Sequence, residues 1–322
     1  MKKYFPANAL ETPRFCGIRT FMKLPCVRTT EEMDFAVVGI PFDTGAAFKP
    51  GQRFGPASVR ENSILLRPYS LNLGVDIFEW LSGVDYGDLS VLPGFIEDSY
   101  RLIEAELTPL FEAGVVPLSI GGDHSITLAE LRAAAKKYGP VALLHFDSHT
   151  DTWDNYWGKK YTHGTPFRRA AEEGLIDGTA SIQVGIRGSQ YAAEDLEVSQ
   201  RLGIEVITAN QIHELGVGQT GELIRQRVRD RKVFFSFDID FVDPAYAPGT
   251  GTAEVGGFTG YETMALIREA KDLNFIGFDV VEVLPALDPA GITAQMAANV
   301  IHEFISILAL RKKRDSESYA AG

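Results

Sequence analysis

Short apolar runs rich in β-branched residues recur along the chain at 34–40, 115–120, 141–146, 182–186, 204–207, 233–239 and 275–281. Each is continuous rather than alternating, as expected of strands buried on both faces. Between them the apolar positions follow a helical period at 96–113, 127–138, 192–202, 221–230, 260–271 and 295–310. Strand and helix alternating in this way predict an α/β fold, a three-layer α/β/α sandwich around a mainly parallel sheet. Residues 1–33 hold no clear strand and read as an N-terminal extension, wrapped over the surface or over a neighbouring subunit. Residues 34–310 carry no linker and read as one domain. The charged and then small-residue segment 311–322 reads as a flexible C-terminal tail.

Charge narrows the partners. The 322 residues include 31 basic and 43 acidic side chains, a net charge of −12, which argues against nucleic acid, since phosphate binding needs a basic face. The acidity is compatible with a cationic substrate. Cys16 and Cys26 are the only cysteines, too few for a disulfide framework, and read as free thiols of a reducing compartment. No apolar core follows the basic pair Lys2-Lys3, and no run reaches about 18 apolar residues. The expectation is a cytoplasmic enzyme without membrane contact.

Three of the runs end in the same kind of residue: Gly121-Gly-Asp-His124, Asp147-Ser-His-Thr-Asp151 and Asp238-Ile-Asp240. Parallel sheets gather their binding residues at the carboxyl edge. In extended chain, positions i, i+2 and i+4 share a face, so Asp147, His149 and Asp151 are expected to point one way, as are Asp238 and Asp240. With His124 this packs four carboxylates into a small volume, costing several kcal/mol each unless something positive sits among them. A single Asp at a strand end is ordinarily a turn former or cap; six such residues at three ends point to divalent cations. Carboxylate and imidazole without thiolate suit Mn2+, with Fe2+, Co2+, Ni2+ or Zn2+ as alternatives. Two such ions could activate a shared water for hydrolysis. His145 reads as a core residue or a support for the ligands, and His213 and His302 as ordinary helix or surface residues.

These motifs resemble those of the ureohydrolase family, which includes arginase, agmatinase and guanidinobutyrase. The resemblance extends through Thr162-His-Gly-Thr165, Ser236-Phe-Asp-Ile-Asp240, the stretch 247–257 and Val281-Glu-Val283, in collinear order over roughly 35–310. It implies an arginase-like fold and a two-metal centre of manganese, with nickel in some members. One ion would be held by His124, Asp147, Asp151 and Asp238, the other by Asp147, His149, Asp238 and Asp240. It further implies that His163 passes a proton to the leaving amine, that Glu282 pairs with the guanidinium, and that the protein forms homotrimers or homohexamers.

The segment after the metal motif, Thr152-Trp-Asp-Asn-Tyr-Trp157, is similar to agmatinases rather than arginase, so Trp153, Asn155, Trp157 and, from a later loop, Thr252 are candidate pocket residues. Ala253 stands where agmatinases usually have proline, which alters the constraint on that loop. Hydrolysis of agmatine to putrescine and urea is the leading expectation, with 4-guanidinobutyrate, guanidine or a biguanide as alternatives, Arg168 and Arg169 being candidates to meet a carboxylate. Two rival readings are a single-metal deacetylase of the same fold, against which Asp240 and Glu282 speak, and an inactive subunit of a mixed oligomer, which should have lost ligands.

Overall fold

The computed structural model describes residues 3–192 and 194–321. Its strands are β1 (Phe35–Gly39), β2 (Tyr69–Ser70), β3 (Val75–Asp76), β4 (Gly83–Asp88), β5 (Val116–Ile120), β6 (Ala142–Phe146), β7 (Ile182–Ile186), β8 (Glu205–Thr208), β9 (Lys232–Asp238) and β10 (Asn274–Val281). The helices are α1 (Gly55–Ser63), α2 (Ile77–Trp80), α3 (Ile96–Ala113), α4 (Thr127–Tyr138), α5 (Pro166–Glu172), α6 (Asp195–Arg201), α7 (Ala209–Val228), α8 (Gly260–Glu269) and α9 (Ile292–Ala321). Eight strands form one sheet in the order β4-β1-β5-β10-β9-β6-β7-β8, all pairs parallel, while β2 and β3 make a separate two-residue ladder.

Alternate residues of the interior strands enter different cores. Val37, Leu144, Phe146, Phe235 and Phe237 pack with residues of α7, α8 and α9. Ala36, Val38, Leu143 and Phe234 pack on the other face with α3, α4 and α5. This is the expected three-layer sandwich, and it explains why the strand runs show no polar face.

All seven predicted strands are present to within about a residue or two at each end. The sequence pattern passes over β4, whose Gly83-Val-Asp-Tyr-Gly-Asp88 looks like a turn because two of its acids serve a specific partner. Asp85, buried, accepts Nε and Nη2 of Arg60 at 2.8 and 3.0 Å, and Asp88 accepts Nη1 at 2.6 Å. Helix α7 starts well before the predicted 221, because Thr208 and Gln211 form a reciprocal capping box. Gly216, at φ 78°, interrupts it.

The two chain ends pack against the domain. The extension lies along β4, the sheet edge, where Val27 and Asp85 exchange backbone bonds with Asp85 and Pro25, and the N–H of Phe21 reaches the Asp85 carboxylate at 2.7 Å. It covers an edge that would otherwise offer unpaired backbone groups. The segment 311–322, expected as a flexible tail, continues α9 as far as Ala321. Three of its four basic residues bind back to the body: Arg311 to Asn274, Lys312 to Asp34 and Arg314 to Asp272. Helix α9 is long and apolar enough to cross a membrane, but 67% of its apolar window is buried within the fold, which makes it a core helix.

Asp85 therefore secures both Arg60 and the extension. Asp85→Ala leaves a largely buried guanidinium short of its main counter-charge and should destabilise the fold by about 3–5 kcal/mol. Urea unfolding at matched metal loading checks this; a loss below about 1 kcal/mol would reduce the pair to the worth of a surface ion pair.

Candidate metal centre

The strands that end in the motif residues are neighbours at the middle of the sheet, β5, β10, β9 and β6 in that order. Because every pair is parallel, His124, Glu282, the Asp238–Asp240 segment and the Asp147–Asp151 segment all leave the same edge. The local geometry, however, is not that of extended chain. Strand β6 stops at Phe146 and β9 at Asp238, so 147–151 is loop and Asp240 lies in a single 3-10 turn, Ile239–Phe241. Asp151 has φ 50° and Glu282 φ 64°, left-handed values that cost non-glycine residues of order 1–3 kcal/mol and cluster at functional sites. Gly122 admits no side chain, since a Cβ there would fall 1.7 Å from the Phe42 carbonyl oxygen.

These loops bring the predicted groups together. Nδ1 of His124 stands 3.1 Å from Asp147 Oδ2, 3.0 Å from Asp151 Oδ2 and 3.2 Å from Asp238 Oδ2. Nδ1 of His149 stands 3.0 Å from Asp240 Oδ2 and 3.4 Å from Asp147 Oδ1. Asp147 thus turns one oxygen to each imidazole, the arrangement of a bridging carboxylate. Asp238 turns only Oδ2 to His124, since its Oδ1 accepts the N–H of Asp240 at 2.8 Å. His145 lies within reach of the same cluster, but both its nitrogens are engaged, Nε2 with Asp147 at 2.7 Å and Nδ1 with Gln183 at 3.0 Å. It orients Asp147 and has no lone pair left for an ion.

The tautomer of His124 follows from its other nitrogen. Ser236 Oγ donates to Asp279 at 2.7 Å, so it accepts from Nε2 of His124 at 2.9 Å. That leaves the Nδ1 lone pair facing three carboxylate oxygens. Nδ1 of His124 and Oδ2 of Asp240 are buried and find no hydrogen-bond partner among the described residues. A proton on Nδ1 could serve one of the three oxygens at a time, whereas a cation serves all of them. The donor set of carboxylates and imidazoles therefore fits divalent ions.

Burial and mutual repulsion oppose charge on two of these carboxylates. Burial, with the charges of Asp240 and Asp147, pushes Asp238 well above the usual carboxylate range. Burial and Asp147 raise Asp240 likewise. Burial opposes charge on the two imidazoles, yet the carboxylates facing them lift His124 and His149 well above their ordinary values.

Beside this cluster, His163 Nδ1 and Glu282 Oε1 are 3.0 Å apart. Burial works against charging His163, but Glu282 raises it to about 9. The N–H of Ala47 meets Nε2 at 2.9 Å, so in this arrangement Nε2 keeps its lone pair and Nδ1 carries the proton. Uptake of a second proton, which Glu282 favours, must displace Ala47. A cleft of about 410 Å³ opens over Asp151, Asp238, His149 and His163, walled by Phe48, Trp153, Tyr156, Trp157, Tyr191 and Thr252. Three of the four candidate pocket residues therefore line it. Asn155 does not: exposed, it accepts the N–H of Gly158 at 3.2 Å and shapes the loop. Arg168 and Arg169 are not among the lining residues either, because both are turned to Asp154 and Glu172.

Residues 33–306 match the arginase family. The chain belongs to that family. A guanidinobutyrase of Pseudomonas aeruginosa is 41% identical over 306 residues, covering 94% of this chain and 96% of its own. A mitochondrial agmatinase of Gallus gallus is 42% identical over 303 residues, covering 94% and 89%. Among solved structures, the proclavaminate amidinohydrolase of Streptomyces clavuligerus superposes with a TM-score of 0.89 at 42% identity, over 93% of this chain and 99% of that one. The protein is accordingly a hydrolase of carbon–nitrogen bonds in linear amidines.

Sequence reasoning missed the support beneath the centre of this arginase-family enzyme. One register row crosses five strands: Ser119 on β5 opposes Asp279 on β10, Asp279 opposes Ser236 on β9, Ser236 opposes His145 on β6, and His145 opposes Gln183 on β7. Asp279 also accepts Thr127 Oγ1 at 2.7 Å, Gln183 accepts Ser199 Oγ at 2.6 Å, and Ser119 bonds Glu130. Burial and the charge of Asp279 push Glu130 well above the usual carboxylate range, favouring its protonated form. The available signal was a polar residue at one matching position of several apolar runs.

Two outcomes are expected. Ser236→Ala removes the acceptor that fixes the His124 tautomer and should weaken metal binding about 10–100-fold, read by Mn2+ titration. Metal must displace protons from Asp238, Asp240 and the imidazoles, so affinity should rise as pH moves from mildly acid to mildly alkaline, with proton release on binding. A pH-independent affinity would exclude this site as the one titrated.

Proposed function

We propose that the protein hydrolyses a guanidino compound to urea and an amine with two divalent ions, and that its substrate is agmatine, giving putrescine. The observation that carries the metal reading is His124 Nδ1 facing three carboxylate oxygens at 3.0–3.2 Å. His124, Asp147, Asp151 and Asp238 would hold one ion, and His149, Asp240 and Asp147 the other, with Asp238 shared as the family resemblance implies. When bound, the ions supply an activated water and Lewis-acid stabilisation of the negative charge that develops on its attack. Manganese is favoured by the ligand types, with nickel as the alternative.

The chain's own groups do the rest. Glu282, buried, holds the guanidinium by charge-assisted hydrogen bonds and so aligns its carbon. Glu282 favours the charged form of His163, which takes its second proton on Nε2 once Ala47 is displaced and delivers it to the departing nitrogen. Aromatic faces at the outer end of the cleft, with no Lys or Arg among the lining residues, favour a cationic tail over a carboxylate. Trp153 meets Tyr191 edge to face at 5.3 Å and Tyr156 at 6.1 Å, which stiffens that wall. One observation supports 4-guanidinobutyrate as the second reading: exposed Lys49 lies over the ring of Phe48, a wall residue, at 5.0 Å.

Trimeric or hexameric assembly is proposed from the family resemblance. The exposed side chains Tyr69, Leu71, Tyr246 and Ile292, which border one groove that shares no lining residue with the cleft, support it. Cytoplasmic residence is supported by the unpaired Cys16 and Cys26.

Urea release from agmatine, 4-guanidinobutyrate, guanidine and arginine, after loading with Mn2+ or Ni2+, tests the reading; agmatine should lead, and silence on all four would sink it. Asp238→Asn should lose metal and turnover together. His163→Ala should keep its metal and lose about 10²–10⁴-fold in kcat, the range for one general acid. Trp153→Ala should raise KM for agmatine more than it lowers kcat.

A further inference from the structure

The guanidinium partner assigned above, Glu282, has its hydrogen-bonding capacity almost filled. A carboxylate offers about four acceptor positions. Oε1 already accepts the backbone N–H of His124 at 2.8 Å and Nδ1 of His163 at 3.0 Å. Oε2 accepts Nε2 of Gln52 at 2.8 Å. One position is left, on Oε2. A guanidinium that forms two parallel N–H···O bonds with a carboxylate needs an acceptor on each oxygen, and Glu282 alone does not offer that here.

Gln52 holds a second acceptor beside it. Its Nε2 donates both to Glu282 Oε2 and to the carbonyl oxygen of Lys49 at 2.9 Å. Both partners only accept, so the amide cannot be turned over: the NH2 arm faces them and Oε1 forms the other arm. The side chain is fully buried, and Oε1 finds no donor among the described residues. Leaving a buried amide oxygen without a donor costs about 1–3 kcal/mol. The placement is built into the backbone. Gly51 has φ 134°, open essentially to glycine, and this turn sets Gln52 beside Glu282. A Cβ on Gly251 would lie 2.8 Å from Gln52 Nε2 and 3.9 Å from Glu282 Oε2. The next residue, Thr252, lines the cleft with His163 and Asp238.

We propose that Gln52 and Glu282 form one joint acceptor surface for the guanidinium, Glu282 Oε2 taking one N–H and Gln52 Oε1 another. The proposal rests on the guanidino-hydrolase reading and deepens it. Gln52 becomes a substrate-binding residue, and the favoured substrate class is a guanidinium with an unsubstituted N–H toward each of the two acceptors.

The test pairs a protein change with a substrate change in the metal-loaded enzyme. The probes are agmatine, or whichever guanidino compound wild type turns over best, and its ω-N-methyl derivative. Gln52→Met keeps length and removes the amide. It should raise KM about tenfold or more, the equivalent of one hydrogen bond to a charged donor, with metal content unchanged. Wild type should discriminate against the methylated compound, and Gln52→Met should lose most of that discrimination, a change that mere loosening of the loop would not produce. Wild-type KM in Gln52→Met, or a raised KM with discrimination intact, overturns the proposal while the functional reading stands. Absence of urea from every guanidino compound with wild type overturns both.

Discussion

The structure is organised around a concentration of negative charge that the protein cannot neutralise with its own hydrogen bonds. Four strand ends meet at the middle of a parallel sheet, and the carboxylates of Asp147, Asp151, Asp238 and Asp240 crowd two imidazoles there. Anions this deeply buried are tolerable only if protons or cations sit among them. Much of the surrounding structure serves that constraint. Left-handed backbone at Asp151 and Glu282 re-aims two carboxylates after their strands have ended. Both nitrogens of His145 are spent on holding Asp147, and Ser236 decides which nitrogen of His124 keeps its lone pair.

Much of this was legible in the sequence because it is encoded in runs. Seven of the eight sheet strands are continuous apolar stretches, and the six acid and histidine residues follow three of them directly. Their convergence does not come from extended-chain parity. An extended-chain parity puts Asp147, His149 and Asp151 on one face, yet the chain leaves the strand at Phe146 and gathers these groups through loop turns. Single residues were hidden. Ser119, Gln183 and Asp279 each stand alone in an apolar run, and the pattern they make shows only when the runs are set side by side in register. Strand β4 was obscured because Asp85 and Asp88 answer to Arg60, distant in sequence. Arg168 and Arg169 looked available for a carboxylate, but Asp154 and Glu172 occupy them.

The division of labour between sheet and loops bears on substrate choice. The acids and imidazoles hang from the central strand ends, whereas the aromatic wall of Trp153, Tyr156, Trp157 and Tyr191 belongs to surface segments that can vary without disturbing the sheet. Relatives with 41% and 42% identity to this chain carry the names guanidinobutyrase and agmatinase, which accords with a fixed reaction centre and an adjustable outer wall.

The polar row from Ser119 to Gln183 has a further effect on how the chain finds its fold. Flat, apolar strands of Val, Ile, Leu and Phe have little to distinguish one alignment from the next. A slip of one residue in any of the five would send a serine, acid, amide or imidazole to the opposite face of the sheet and leave its former neighbours unmatched. The row thus works like a combination lock: each strand that stands off the common notch loses its own polar matches, so misaligned sheets are penalised before a metal ion ever arrives.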